Sequence, residues 1–435
     1  MQLVIPPAGA FEHVPKLQHV PILIGEDGSY PVEANRYLDE RSNAEWRLPG
    51  GEDSGQVVPT VSARKGIAAR LSIFLEWVNK AKAGDWRSLT FQEGLLDLYQ
   101  PDLLLGTGSR SGRKLKPSTV NAYVGEACLF LAWAYERGYR DEFRVPKSRT
   151  SYVYHSATSP HSGALRGSNK RIGALLTAEV PIQLPSDSEV ERWMRQIHIR
   201  APIKALVFEL ILRCGLRISE ANSLRVTCFP SKQSSDGNGW HPDWLLAGEV
   251  PMTIRYGTKG AKVSPSSDLG TRWRTVFVPI DLADRIWHYI TVIRPTQLGR
   301  YHRGERMHER RVDRLWLGEG KNQPISNEML RRVWKSASHC PPGWHPHSGR
   351  HYFAVQKIAA QTSAHLKLMG LASTTNADLG WLHGLMAGQV KMILSPIMGH
   401  VNERTTMRYL QAAVAKVARD RGHPSILWNA IIDRE

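Results

Sequence analysis

The sequence predicts a mainly α-helical protein with one small antiparallel β-sheet, divided into two large folded units. Three observations lead to this. Apolar residues recur at helical spacing over two long regions, about 58–146 and from about 186 onward. One pair of stretches rich in β-formers, PMTIRYGTK and WRTVFVPI, flanks a polar loop and reads as a hairpin. The chain has 435 residues, 42% apolar and 22% charged, enough for two or three domains of ordinary globular composition.

Residues 1–56 read as a leader segment. PILIGEDGSYPV offers two extended stretches around a turn at Gly25 to Gly28, and a short helical pattern follows near VEANRYLDE. Residues 57–146 form an all-helical domain. Ile67, Leu71, Phe74 and Val78 share one face, Thr90 with Glu93 forms a capping box for a second helix, and a third runs from Ser118 to a stop at Gly138. Between the last two lies the basic loop SRSGRKLKP, with Arg110, Arg113, Lys114 and Lys116. Residues 147–183 carry no acid until Glu179 and show no sustained period, which fits either a plain tether or a basic linker that tracks phosphates through residues such as Lys170 and Arg171. Residues 184–422 form the larger domain. Ser186 and Glu189 cap its first helix, the apolar helix IKALVFELILRCG follows, then the hairpin, then helices again. Residues 423–435 are an apolar tail that either docks on a neighbouring copy or folds onto its own domain.

Charge points to the partner. Lys and Arg number 57 against 40 Asp and Glu, a formal charge of +17, which favours a polyanion. No run of eighteen apolar residues exists to span a bilayer, and the N-terminus lacks a secretion pattern, so nucleic acid is the expected partner and the cytoplasm, in association with the nucleoid, the expected location. Cys128, Cys214, Cys228 and Cys340 are widely separated, which indicates reduced thiols rather than a disulfide framework or a cysteine zinc site.

Four segments of the larger domain carry candidate chemistry. GLRISEANSL holds Arg217 and Glu220, YGTKGAK places Lys259 at the hairpin tip, HPHSGRHYFA offers His347, Arg350 and His351, and MGHVNERTTMRYL holds His400 with Tyr409 nine residues on. Alone, each is most simply a surface or packing residue. Together, Arg, Lys, His-x-x-Arg, His and Tyr in this order resemble the tyrosine recombinase (phage integrase) family. The chain departs from the family at two places: Gly349 replaces the usual leucine before the second arginine, and Arg350 and His400 stand 50 positions apart, with LKLMGLASTTNADLGWLHGLMAG as the extra element.

The resemblance implies a helical core-binding domain followed by a catalytic domain, the two clamping a DNA duplex. It implies a site-specific recombinase that cuts and rejoins strands through a 3′-phosphotyrosyl intermediate and a Holliday junction, with four protomers on DNA. A phenol of pKa ~10 can store a phosphodiester as an ester if its proton is accepted and the phosphate charge is held. Tyr409 is then the nucleophile. Arg217 and Arg350, permanently charged and fork-shaped, hold the non-bridging oxygens. Lys259 is the general acid for the leaving 5′ oxygen, His347 the acid/base partner, His400 a hydrogen-bonding group for the phosphate, and Glu220 a support.

No cofactor or metal is required. Cys340, His345, His347 and His351 offer a competing zinc site, and His347 and His351 have a spacing that puts two imidazoles on one helical face, but no Glu follows His347 as in H-E-x-x-H, and Gly349 weakens a helix there. Lys262, Arg272 and the tract GRYHRGERMHERRVDR, with six arginines against three acids, are further candidates for backbone contacts with DNA. Two other readings are a type IB topoisomerase and a non-catalytic DNA-binding regulator derived from a recombinase.

Overall fold

The computed structural model describes residues 1–7, 10–11, 13–49, 58–80, 84–108, 112–156, 159–177, 182–232, 239–260, 267–302, 313–318 and 324–368, and further on 384, 386, 388, 392, 394–399, 409, 411–413 and 416. It divides into two units, one built on Met1–Glu179 and one running from Val180 onward.

In the first unit, α1 (Val32–Ser42), α2 (Val61–Lys80), the π-type helix Phe91–Tyr99 running into α3 (Gln100–Leu105), and α4 (Pro117–Glu136) enclose one core. The apolar faces read from the sequence are the buried ones: Ile67, Leu71, Phe74 and Val78 all lie in this core. Thr90 caps as expected, its side chain accepting from the Glu93 amide at 3.1 Å. The first 49 residues do not behave as a separate leader, because Leu23, Tyr37, Leu38 and Trp46 belong to the same core. Two contacts explain this. Tyr37 donates to Glu126 at 2.7 Å, and Glu40 accepts from the Trp133 indole at 2.9 Å, so α1 is bonded to α4 through buried polar groups as well as apolar ones. The stretch before the Gly25–Gly28 turn pairs not across that turn but with the N-terminus: β1 (Gln2–Val4) and β2 (Ile22–Ile24) are antiparallel, Leu3 opposite Leu23.

The basic segment after α4 pairs with itself. β3 (Lys147–Ser156) and β4 (Ser159–Arg171) form an antiparallel ribbon in register from Lys147–Arg171 to Ser156–Ser159. Its base is fastened by Arg171, which donates to Gln100 at 2.7 Å and to Asn121 at 3.0 Å.

The second unit opens with α5 (Asp187–Arg200), whose capping box is present with Ser186 and Glu189 bonded in both directions. α6 (Pro202–Cys214), buried almost all round, forms the centre of the unit, and α7 (Ile218–Asn222) follows it. After α8 (Pro242–Ala247), β5 (Glu249–Tyr256) and β6 (Leu269–Pro279) make the expected hairpin, with Met252 opposite Val276. Helices α9 (Ile280–His288), α10 (Arg294–His302), α11 (Asn327–Ser336) and α12 (Pro346–Leu368) complete it, with a short α13 (Ser395–Met398) further on. Trp193, Phe208, Trp334 and Trp344 pack ring on ring beneath the start of α12, with Trp193 donating to the Trp334 carbonyl at 3.0 Å. Truncating a buried aromatic of this kind costs about 3–5 kcal/mol.

The two chain junctions that matter for the site, one after α6 and one after β5, depend on glycine. Gly215 ends α6 at φ 69°, and a Cβ there would meet Phe353 at 2.4 Å. Gly257 ends β5 at φ 67°, where a Cβ would fall 2.2 Å from the Ser219 carbonyl oxygen. Only a residue without a side chain lets the hairpin approach α7 this closely. The Ser219 hydroxyl then donates to the Gly257 carbonyl at 2.9 Å.

Candidate active site

The site lies within the second unit, where α7, β6, α12 and α13 converge on one carboxylate. Glu220 is fully buried. It accepts from the Arg217 amide at 2.8 Å and from the Arg217 guanidinium at 2.8 Å, so the first turn of α7 is closed by its own Arg–Glu pair. From β6, Arg274 donates to both Glu220 oxygens at 3.1 and 2.8 Å, and its Nε donates to the Ile397 carbonyl at 2.6 Å. From α12, Arg350 stands 3.6 Å from Glu220 and donates to the carbonyls of Gly215 and Met398. Burial alone would raise the Glu220 pKa, but the Arg274 hydrogen bonds and the charges of Arg274, Arg217 and Arg350 bring it down to about 2.

Three guanidiniums therefore share one carboxylate, which leaves a surplus of positive charge at this point. Arg350 is 1% exposed, and its side-chain pKa is lowered to about 10 by desolvation and then by its neighbour Arg217. It stays protonated at neutral pH, as an anion site needs.

The start of α12 is set by local chemistry. His345 Nδ1 accepts from the Ser348 amide at 3.0 Å, Pro346 occupies the first helical position, and Gly349 lies against Trp334. A Cβ on Gly349 would come within 2.7 Å of that indole, which gives the departure from leucine a packing reason. His347 and His351 follow one turn apart, ring centroids 4.4 Å from each other and edge to face. His347 keeps a solvent-exposed face. Partial desolvation and then the positive charges of Arg350, His345, Arg217 and Lys259 push its pKa down to about 4, so it is neutral near pH 7.

Tyr409 is fully buried in a small cluster with Phe353, Ala354, Ile358, Leu394 and Met398. Its hydroxyl lies 2.9 Å from His351 Nδ1. Nearby, Asp187 accepts from Tyr352 at 2.8 Å and pairs with Lys416 at 3.2 Å, which ties residues beyond Tyr409 to α5 and α12.

Six of the seven residues assigned to the chemistry are brought together. Arg217, Glu220, Arg350, His347 and Tyr409 belong to one neighbourhood, and Lys259, exposed at the hairpin tip, is close enough to bear on His347. His400, Arg110 and Lys262 lie outside the described residues, as do the apolar tail, most of the extra element between Arg350 and His400, and 303–312 of the arginine-rich tract. Arg113, Lys114 and Lys116 are exposed on the loop before α4, and Arg272 is exposed on β6. Lys170 sits in β4 opposite Ser148. Arg171, partly buried, donates to Gln100 and Asn121 and so fastens the base of the ribbon.

Two residues of the site were not singled out for a role in the sequence. Arg274 sits in a strand, where WRTVFVP reads as simple alternation, and nothing local signals that its side chain reaches Glu220. His351 stands out in the HSGRH box and in the zinc reading, but has no part in the recombinase assignment. Among the described residues, no group of three or more His, Cys, Asp or Glu is arranged to hold a metal ion. No helix among them is long and apolar enough to cross a membrane.

No family model and no curated protein matches the chain. Among solved structures it is similar to the XerH site-specific recombinase bound to palindromic difH substrate, at 15% identity over 89% of this chain and 87% of that one, with a TM-score of 0.45. It is also similar to the Tn1549 transposon integrase in complex with circular intermediate DNA, at 14% identity over 82% and 92% of the two chains and a TM-score of 0.40. A third is the XerA recombinase, at 13% identity, 88% and 98% coverage and a TM-score of 0.34.

Proposed function

We propose that the chain is a tyrosine-type site-specific DNA recombinase that breaks and rejoins strands through a 3′-phosphotyrosyl bond at Tyr409. The observation that carries this reading is the joining of its sequence boxes in one place. Glu220 draws Arg217, Arg274 and Arg350 together, Arg350 and Arg274 grip the carbonyls of Met398 and Ile397, and the Tyr409 hydroxyl is bonded to the residue that follows Arg350.

In the proposed reaction Arg217 and Arg350 hold the non-bridging oxygens of the scissile phosphate and stabilise the charge of the five-coordinate state. Glu220 takes no proton. It is a permanent anion that fixes three guanidiniums while leaving net positive charge for the phosphate. The Tyr409 oxygen attacks phosphorus, the bond to the 5′ oxygen breaks, and Lys259 protonates the departing oxygen. His347, neutral before DNA arrives, hydrogen-bonds the phosphate or its attacking group, and His400 is assigned a hydrogen bond to the phosphate. A 5′-hydroxyl from a partner duplex reverses the steps, and repetition on the second strands passes through a Holliday junction in a tetramer. Because Tyr409 is fully buried in the DNA-free chain, attack requires that DNA binding uncover it.

The test is incubation with nicked suicide duplexes made from DNA flanking the gene. The wild-type chain is expected to give a covalent adduct on a denaturing gel, and Tyr409→Phe to abolish it while DNA affinity is kept. A wild-type chain that binds such duplexes but never forms an adduct supports the non-catalytic regulator instead.

A further inference from the structure

Beyond the residues assigned to the reaction, the His351 imidazole is hydrogen-bonded to the nucleophile. His351 Nδ1 is 2.9 Å from the Tyr409 hydroxyl, inside the range of 2.6–3.2 Å in which a base can take a proton directly. The two rings are 5.3 Å apart between centroids and tilted by 53°. His347, by contrast, is set against the rings of His345 and His351.

We propose that His351 is the catalytic base of the proposed recombinase reaction, the group that accepts the phenolic proton of Tyr409 as its oxygen bonds to phosphorus. The inference rests on the functional reading above and assigns a role that the sequence motif gives to no residue at this position. The Tyr409 O–H bond breaks and its proton passes to His351 Nδ1, which requires the tautomer with the resident proton on Nε2. The freed electron pair on oxygen forms the bond to phosphorus. The bond from phosphorus to the 5′ oxygen breaks, and that oxygen takes a proton from the Lys259 ammonium. On rejoining, the incoming 5′-hydroxyl gives its proton to neutral Lys259, and the His351 imidazolium returns its proton to the departing phenol.

Three features suit His351 to this task. It lies on a helix whose start is fixed by the His345 cap and by Gly349 against Trp334, so its ring is carried on a rigid element. It follows Arg350 directly, so base and phosphate-holding arginine keep a constant separation whatever moves around them. It is only partly buried, while Tyr409 is fully covered, so the nucleophile is bonded to its acceptor before any phosphate arrives.

A histidine that merely latches the phenol in its covered position makes the opposite prediction, which the test uses. Single-turnover adduct formation on nicked suicide duplexes is followed for the full-length wild type, His351→Ala, His351→Gln and His347→Ala, with and without added imidazole. His351→Ala is expected to slow the adduct step by ~10²–10⁴-fold at unchanged DNA affinity, with part of the rate restored by imidazole. His351→Gln, which can hold the phenol but cannot take its proton, stays slow, and imidazole does not rescue His347→Ala. The proposal is overturned if His351→Ala reacts as fast as the wild type or faster, or if a folded His351→Ala is slow and indifferent to imidazole. Failure of the recombinase reading itself looks different, because the wild type then forms no adduct at all.

Discussion

Replacing Glu220 by Gln keeps the side chain's shape and one acceptor oxygen but removes the charge that three guanidiniums share. The expected loss follows from the structure by two routes. Folding holds the Glu220 carboxyl at about 2 against an ordinary 4.5, and at 1.36 kcal/mol per pH unit that preference is worth about 3 kcal/mol. Independently, removing one partner of a buried ion pair costs about 3–5 kcal/mol, and Arg350, 1% exposed, has little water to turn to. A loss of about 3 kcal/mol lowers the melting temperature of a unit this size by about 6–12 °C. The assay is thermal unfolding of wild type and Glu220→Gln at pH 7, repeated down the acid range. The native pKa is depressed, so the carboxylate's contribution is full above about 4.5 and declines as the pH falls toward about 2. The gap between the proteins should narrow in that window and stay constant from pH 5 to 8. A variant melting within about 2 °C of the wild type at pH 7 would refute the reasoning.

Arg274→Lys replaces a fork that spans both Glu220 oxygens and the Ile397 carbonyl by a single ammonium, and should cost about 1–3 kcal/mol by urea unfolding as well as slowing adduct formation. An unchanged midpoint would mean that the bridge between β6 and α13 contributes nothing. Gly349→Leu, which introduces the residue usual at this place in tyrosine recombinases, should destabilise by about 1–3 kcal/mol because its side chain has to displace Trp334 and Leu212. Equal or greater stability would show that the packing reason given for this glycine is wrong. Lys259→Ala, at an exposed tip, should leave stability within about 0.5 kcal/mol. It should slow cleavage by ~10²–10⁴-fold on ordinary DNA, and far less on DNA with sulfur in place of the bridging 5′ oxygen, since a thiolate leaves without a proton. Equal slowing on both substrates would remove Lys259 from the acid role.

What the sequence disclosed and what it hid divide along a physical line. Capping signals are local: the Ser186–Glu189 box stands in full, whereas at Thr90–Glu93 the Thr90 side chain accepts from the Glu93 amide and the return bond is not formed. The β5–β6 hairpin was legible because β-branched and aromatic residues alternate on both sides of a polar loop. The β3–β4 ribbon was not, since KSRTSYVYHS and SPHSGALRGSNKR carry no sustained alternation of apolar and polar residues. The three-residue strands β1 and β2 escaped because their pairing depends on the core that receives Leu23 rather than on the turn beside them. Within the site, Arg217, Glu220, Arg350 and Tyr409 were found through the order of short motifs. Arg274 and His351 were not assigned roles, since each acts on a residue far along the chain: Arg274 on Glu220, and His351 on Tyr409. Such contacts come from tertiary packing, which residue spacing does not encode.

The proposed reaction makes one phenol the covalent carrier of a broken DNA strand. Digesting the protein–DNA adduct formed on a suicide duplex and identifying the DNA-bearing peptide and the linkage by mass spectrometry would show this bond itself. The expected products are a 3′-phosphoryl group on Tyr409 and a free 5′-hydroxyl on the released strand. A linkage through any other side chain, or a 5′-phosphoryl linkage, would contradict that reaction.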